Sequence, residues 1–190
     1  MKIVKSESIN WQKINNILKN DGVIVYPTDT AYGLAADFFS EKALKKVYRI
    51  KQRPLSKKIA LIASSLAPVK KYFCLNKKEL SLAKKYWPGP LTLILKLKNK
   101  EKKVGVRVPD FKMARELAKN FEKPITATSA NLSGQPNPYS ASQVVRQFKN
   151  KKNQPDLIID AGRLKKIKPS TVAEIINDKI KIIRKGPINL

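Results

Sequence analysis

Short apolar runs, each bounded by a proline, a glycine or a polar turn, recur along this chain and alternate irregularly with amphipathic stretches. Val23–Tyr26 stops at Pro27, Leu91–Leu97 follows Pro88-Gly89-Pro90, Val104–Val108 stops at Pro109, and Ile125–Thr128 follows Pro124. Runs this short and this apolar predict buried strands, as do Ile59–Ala63 and Leu157–Asp160. Helices are predicted over Asn10–Asn20, Ser40–Ile50, Ser65–Phe73, Asn76–Trp87, Asp110–Asn120 and Ser140–Phe148, with Ser40, Asn76 and Asp110 as N-caps. Thr171–Ile176 and Lys179–Arg184 predict a closing hairpin that turns at Asn177-Asp178. Strands and helices mix without strict alternation. The expected fold is therefore α/β with a sheet of mixed parallel and antiparallel direction, flanked by helices, and not a regular doubly wound sheet. At 190 residues, the chain suits one domain spanning 1–190.

Composition excludes several chemistries. Histidine is absent, so neither an imidazole base nor a histidine-ligated metal is available. Cys74 is the single cysteine, which rules out an internal disulfide and a multi-cysteine zinc site. Following Tyr72-Phe73, it reads as a small core residue rather than a nucleophile. No apolar stretch at the N-terminus or elsewhere has the length of a signal peptide or a membrane span. A soluble, cytoplasmic protein with no membrane partner is expected.

Charge is the strongest compositional signal. Lysine plus arginine is 40 against 14 acidic residues, a formal net charge of +26. Such a field attracts polyanions, among them nucleotides, pyrophosphate and RNA. Lysine-rich coding that fills solvated faces is the competing reading, and pairs such as Lys45-Lys46 and Lys84-Lys85 fit it. The lysine stretches Lys98–Lys103 and Lys149–Lys152 read as exposed loops.

Basic residues inside motifs are more informative. Tyr26-Pro27-Thr28-Asp29-Thr30-Ala31-Tyr32-Gly33-Leu34 places hydroxyls and a carboxylate just past a strand, where α/β sheets commonly bind ligands; a plain turn is the alternative. In Lys51-Gln52-Arg53-Pro54, the proline favours extended chain, which would point Lys51 and Arg53 the same way. Two cations facing one site suit a phosphate chain; helix C-terminal cations are the alternative. Arg107, within Val106-Arg107-Val108-Pro109, needs a carboxylate partner, either a ligand or an internal acid. Thr126–Gly134 is dense in hydroxyls, and Ser129 and Asn131 could each donate to oxyanions or simply cap a turn. Trp87-Pro88-Gly89-Pro90 reads as a rigid corner. Near the end come Ser170-Thr171-Val172 and Arg184-Lys185-Gly186-Pro187, with Arg184 closing a strand ahead of a flexible glycine. No Walker A loop or dinucleotide fingerprint is present.

Taken in order, YPTDTAYGL, KQRP, WPGPLTLIL, VRVP, TSANLSGQP, STV and RKGP resemble the YrdC-like family of threonylcarbamoyl-AMP synthases. The resemblance covers nearly the whole chain and matches the short, single-domain bacterial type. It implies a twisted mixed sheet around a positively charged cavity. It also implies condensation of L-threonine, bicarbonate or carbon dioxide, and ATP into threonylcarbamoyl-AMP with release of pyrophosphate. The product would serve N6-threonylcarbamoyladenosine modification of tRNA, through partner proteins of the threonylcarbamoyl-transferase complex and with contact to tRNA as a further expectation.

By the same resemblance, Lys51, Arg53, Ser129 and Asn131 carry catalysis. Lys51, Arg53, Lys57, Ser129, Asn131, Asn137 and Arg184 hold ATP, with Mg2+ arriving through the nucleotide and no metal site on the protein itself. Thr30, Arg107 and Ser170 hold threonine. Gly134–Ser140, which contains Asn137, is the expected mobile lid. Two positions depart from the family pattern: Ile62 stands where some longer members have a threonine-contacting histidine, and Ala31 where valine is expected. An RNA-binding module without catalysis is the alternative, although aromatic residues make up only 7% of the chain. A carbamoyl-transferring relative of the hydrogenase-maturation type would need more chain and more cysteines.

Overall fold

Asn10, Ser40, Asn76 and Ser140 each accept a backbone N–H from three residues ahead, and a helix begins behind each one. At Asn76 the bond is reciprocated, because Glu79 accepts from the Asn76 N–H at 2.8 Å, closing a capping box. The computed structural model describes all 190 residues. Its elements run β1 (Lys2–Lys5), α1 (Trp11–Lys19), β2 (Ile24–Pro27), β3 (Tyr32–Ala35), α2 (Glu41–Lys51), β4 (Ala60–Ile62), α3 (Leu66–Tyr72), β5 (Phe73–Cys74) and α4 (Lys77–Tyr86). They continue with β6 (Leu91–Leu97), β7 (Lys103–Arg107), α5 (Lys112–Phe121), β8 (Ile125–Ser129), α6 (Ala141–Phe148), β9 (Leu157–Asp160), β10 (Thr171–Ile176) and β11 (Lys179–Arg184).

The chain divides into two compact units. The first comprises Met1–Lys58 and Ile125–Ile167. Its strands lie in the order β1-β9-β2-β3-β8. The pairs β1/β9 and β9/β2 are parallel, whereas β2/β3 and β3/β8 are antiparallel. Every residue of β2 and β3 is buried, as expected for central strands covered on both faces. Ile14, Leu18, Val47, Ile50, Val144 and Phe148 supply the helical side of this core. Each such side chain contributes about 1.5–3 kcal/mol by burial.

The second unit comprises Ile59–Pro124 and Lys168–Leu190. Its strands lie in the order β4-β7-β6-β10-β11, with β5 also pairing β6. Here β4/β7 and β6/β10 are parallel, and β7/β6 and β10/β11 antiparallel. Both sheets are thus mixed, as the irregular order of elements predicts. The closing hairpin turns at Asn177 and Asp178, whose φ values of 48° and 54° give the left-handed geometry that a tight hairpin requires.

Several local expectations need correction. Asp110 caps nothing: α5 starts one residue later, behind Phe111, and Asp110 instead accepts from Arg115 at 3.2 Å. Cys74 is exposed, because it sits on the outward side of the two-residue strand β5. The strands β1, β3 and β5 escape the sequence reading because each is short and β3 contains a glycine. That glycine has a packing reason: a Cβ on Gly33 would lie 3.1 Å from the ring of its cross-strand partner Tyr26. Nor does Lys51-Gln52-Arg53 run extended. Lys51 ends α2, Gln52 is left-handed, and Arg53 N–H reaches back to the Tyr48 carbonyl. No helix is long and apolar enough to cross a membrane.

Asn76 and Asp110, both expected as caps, are therefore physically different, and mutation separates them. Asn76→Ala should lower the unfolding free energy by about 1 kcal/mol. Asp110→Ala, which removes only an exposed ion pair, should change it by less than about 0.5 kcal/mol. Urea unfolding of the two variants side by side measures the difference.

Candidate active site

In the first unit, the turn after β2 is organised by one hydroxyl. Thr28 Oγ1 donates to the Ala31 carbonyl at 2.6 Å and accepts from the N–H groups of Thr30 and Ala31 at 3.2 Å. Thr30 is left half-buried, with its own hydroxyl 3.2 Å from that of Thr28. Sequence reasoning singled out Thr30 and passed over Thr28. The signal was present in Pro-Thr-Asp-Thr, where the first hydroxyl is placed to close a side-chain turn.

Lys51 is only 2% exposed. Its Nζ donates to the Ser129 carbonyl, to the Asn131 carbonyl at 2.9 Å and to Asn131 Oδ1 at 3.0 Å. Burial, and then the neighbouring Arg53 charge, push the Lys51 pKa down to about 7. The oxygen acceptors work in the opposite direction, favouring the ammonium. The backbone closes the same connection: Lys51 O accepts from Ser133 N–H at 2.8 Å. Ser129 Oγ donates to Asn131 Oδ1, and Asn131 Nδ2 donates to the Gln135 carbonyl. Three of the sequence-predicted residues thus form one connected network.

Arg53 lies close by but behaves differently. Its Nε and one Nη donate to the carbonyls of Lys57 and Lys58, each at 3.1 Å. A guanidinium has five N–H groups, so donors remain for a ligand. Lys57 is exposed, and its carbonyl is fixed further by Tyr48 Oη at 3.1 Å.

Asn137 is exposed on a segment held at both sides. Pro138 O accepts from Tyr32 N–H at 3.0 Å, and Tyr139 O accepts from Leu164 N–H at 2.7 Å. Gln147 Nε2 donates to Pro136 O at 3.0 Å. The expectation of a mobile lid over Gly134–Ser140 therefore meets a segment tied down at Pro136, Pro138 and Tyr139. Tyr32 also anchors the chain beyond β9: its hydroxyl donates to Gly162 O at 2.7 Å and accepts from Ala161 N–H at 3.0 Å. Burial raises its pKa to about 12, so it stays a neutral phenol.

In the second unit, Arg107 ends β7 and is 8% exposed, while Ser170, 4% exposed, immediately precedes β10. Arg184 ends β11 and donates through Nε and Nη2 to the Ser170 carbonyl at 3.1 and 2.8 Å. The same Nη2 reaches Ser170 Oγ at 3.1 Å, and that hydroxyl pairs with Thr92 Oγ1 at 2.8 Å. Partial burial and the Arg107 charge both lower the Arg184 pKa. Thr92, inside the quoted WPGPLTLIL run, is the residue that sequence reasoning missed here; a lone hydroxyl in an apolar strand was its signal.

Gly186 is not a flexible joint. A Cβ there would lie 2.3 Å from Thr171 N, so only glycine lets the closing segment pass against Ser170-Thr171. Thr171 Oγ1 accepts from Gly186 N–H at 3.1 Å and donates to Ile188 O at 2.9 Å. Ile62, which stands where some longer family members have a histidine, is the parallel register partner of Arg107.

Residues 16–186 match the Sua5/YciO/YrdC family, described as "Telomere recombination". A threonylcarbamoyl-AMP synthase from Psychromonas ingrahamii is 40% identical over 156 residues, which is 76% of this chain and 81% of that protein. The crystal structure of Pyrococcus abyssi Sua5 complexed with L-threonine superposes with a TM-score of 0.83 at 30% identity. That match covers 96% of this chain but 56% of the P. abyssi protein, so this chain spans a little over half of it. Escherichia coli YciO superposes with a TM-score of 0.81 at 29% identity, over 97% of this chain and 94% of its own. The family match runs through both compact units and takes in the Lys51, Ser129 and Arg107 segments alike. The chain belongs to the Sua5/YciO/YrdC family.

Proposed function

We propose that this chain is a threonylcarbamoyl-AMP synthase, which condenses L-threonine, carbon dioxide (or bicarbonate) and ATP into threonylcarbamoyl-AMP and pyrophosphate. The observation that carries the reading is the fixed cation at the end of β11, where Arg184 donates to the carbonyl and the hydroxyl of Ser170 and Ser170 pairs with Thr92. A guanidinium oriented in this way, with N–H groups to spare, suits an anionic ligand. In this reading Arg107 takes the threonine carboxylate, with Ser170 and Thr30 as further threonine contacts. Arg53, Lys57, Asn137 and Arg184 serve the ATP phosphates.

The chemistry requires no protein nucleophile. The threonine amine adds to carbon dioxide and loses a proton, giving a carbamate. A carbamate oxygen then attacks the α-phosphorus of ATP; the new P–O bond forms as the bond to pyrophosphate breaks. The protein contributes positioning and neutralisation of the charge that builds on the leaving group. Mg2+ would take its ligands from phosphate oxygens and water and enter with the nucleotide. Ile62 beside Arg107 makes the threonine contacts of this chain more apolar than a histidine would. The product is a reactive mixed anhydride, which fits hand-over to proteins of a threonylcarbamoyl-transferase complex and then to tRNA.

Pyrophosphate release from ATP, Mg2+ and bicarbonate, with and without L-threonine, tests the reading directly. Threonine-dependent release accompanied by a new adenylate in the mass spectrum is expected; threonine-independent release, or none, would remove it. Arg53→Ala should lower kcat/KM by about 2–4 kcal/mol of transition-state stabilisation, measured in the same assay. Arg107→Ala should raise the KM for threonine far more than the KM for ATP. Equal rises in both would take the carboxylate away from Arg107.

A further inference from the structure

An ammonium group has three N–H donors. On Lys51 all three are engaged, with the Ser129 carbonyl, the Asn131 carbonyl and Asn131 Oδ1. Ser129 has one hydroxyl proton, and it goes to Asn131 Oδ1. Asn131 spends one amide N–H on Gln135 O. For Lys51 to grip a phosphate, it would have to give up one of these three oxygens, and withdrawing a charged donor from a buried acceptor is unfavourable. Arg53, two residues on, has unused N–H groups and is less buried.

We infer that Lys51 is a positioning residue: its ammonium clamps the 129–135 loop to the end of α2, and it does not contact the nucleotide phosphates. Ser129 and Asn131 belong to the clamp. The two halves of the Lys-x-Arg pair thereby divide the work, Lys51 shaping the loop and Arg53 meeting the ligand. The local geometry supports the division. The left-handed Gln52 turns the chain between them, so the two side chains do not project in parallel. The backbone bond from Ser133 N–H to Lys51 O ties the same loop to the same residue a second time. The inference rests on the synthase reading for its kinetic consequences but not for the clamp itself.

Its test uses the full chain with Lys51→Met, Lys51→Arg, Asn131→Ala and the Lys51→Met/Asn131→Ala double variant. The first readout is amide hydrogen exchange over 129–135 in the ligand-free protein. The second is the Kd for ATP at several salt concentrations. The third is kcat and KM for threonine-dependent pyrophosphate release. A clamp predicts faster exchange over 129–135 in Lys51→Met and an ATP Kd within about three-fold of wild type with unchanged salt dependence. It predicts a kcat lowered about 10–100-fold, as misplacement of catalytic groups produces. The double variant should be no worse than either single one. Lys51→Arg should not restore kcat, because the larger planar head group does not fit three converging oxygens.

Direct phosphate contact predicts the reverse: unchanged exchange, weaker and less salt-sensitive ATP binding in Lys51→Met, and substantial rescue by arginine. That set of results would overturn the inference. Should Lys51→Met fail to fold, Asn131→Ala carries the test, since it removes an acceptor while leaving the ammonium in place. If the wild-type protein releases no threonine-dependent pyrophosphate, the synthase reading falls, whereas exchange and ATP binding still decide the clamp.

Discussion

A lysine ammonium removed from water is expensive by several kcal/mol, and the first unit is arranged around supplying what Lys51 has lost. Its acceptors are main-chain carbonyls and one side-chain amide, so the only way to satisfy it is to hold residues 129–131 at a fixed place. The loop's other ties follow: Leu132 N–H on Gln147 Oε1 at 2.9 Å, Ser133 N–H on Lys51 O, and Asn131 Nδ2 on Gln135 O. The helix end that carries Lys51 is itself closed by two bonds, from Gln52 N–H to Arg49 O and from Arg53 N–H to Tyr48 O. This is the double closure of a helix that ends in a left-handed residue. Glycine usually occupies that position. Gln52 there accepts a conformational penalty of about 1 kcal/mol, which the buried network beside it offsets.

The second unit solves a related problem with a different device. Arg184 is fixed by the Ser170 carbonyl and hydroxyl, and Ser170 by Thr92, so the guanidinium is oriented before any ligand arrives. Gly186 and Thr171 hold the segment behind it. The STV and RKGP motifs, distant in sequence, are therefore one structural unit. Preorganised cations of this kind stabilise developing charge without reorganising during the reaction.

Much of this was legible in the sequence. The helix caps at Ser40 and Asn76 and the turn at Asn177-Asp178 were readable because each is decided by residues within three or four positions. Capping strength alone misled at Asp110, where the helix starts one residue later, behind Phe111, and the carboxylate goes to Arg115. β3 was invisible because its stability comes from two neighbouring strands and not from its own composition. At the site, residue types and family spacing brought out Lys51, Arg53, Ser129, Asn131, Arg107, Ser170 and Arg184. Their division into clamp and contact was not legible. Whether a lysine's donors are free depends on carbonyls about 80 positions away, and no local pattern encodes that.

The same distinction separates two kinds of positive charge in this chain. Most lysines of the chain are exposed, and where they pair, as Lys45 with Glu41 or Lys112 with Glu116, the partners are solvated and contribute little. Their collective effect is a long-range field, which draws in anions and fades within a Debye length as salt rises. Lys51 and Arg107 are buried, and their effect is local, specific and only weakly screened. A field of +26 therefore acts on the encounter rate of any anion, whereas the few cations buried among fixed oxygens act only on what touches them. Surface lysines could be exchanged in number with loss mainly of encounter rate, whereas one buried ammonium fixes the loop that carries Ser129 and Asn131.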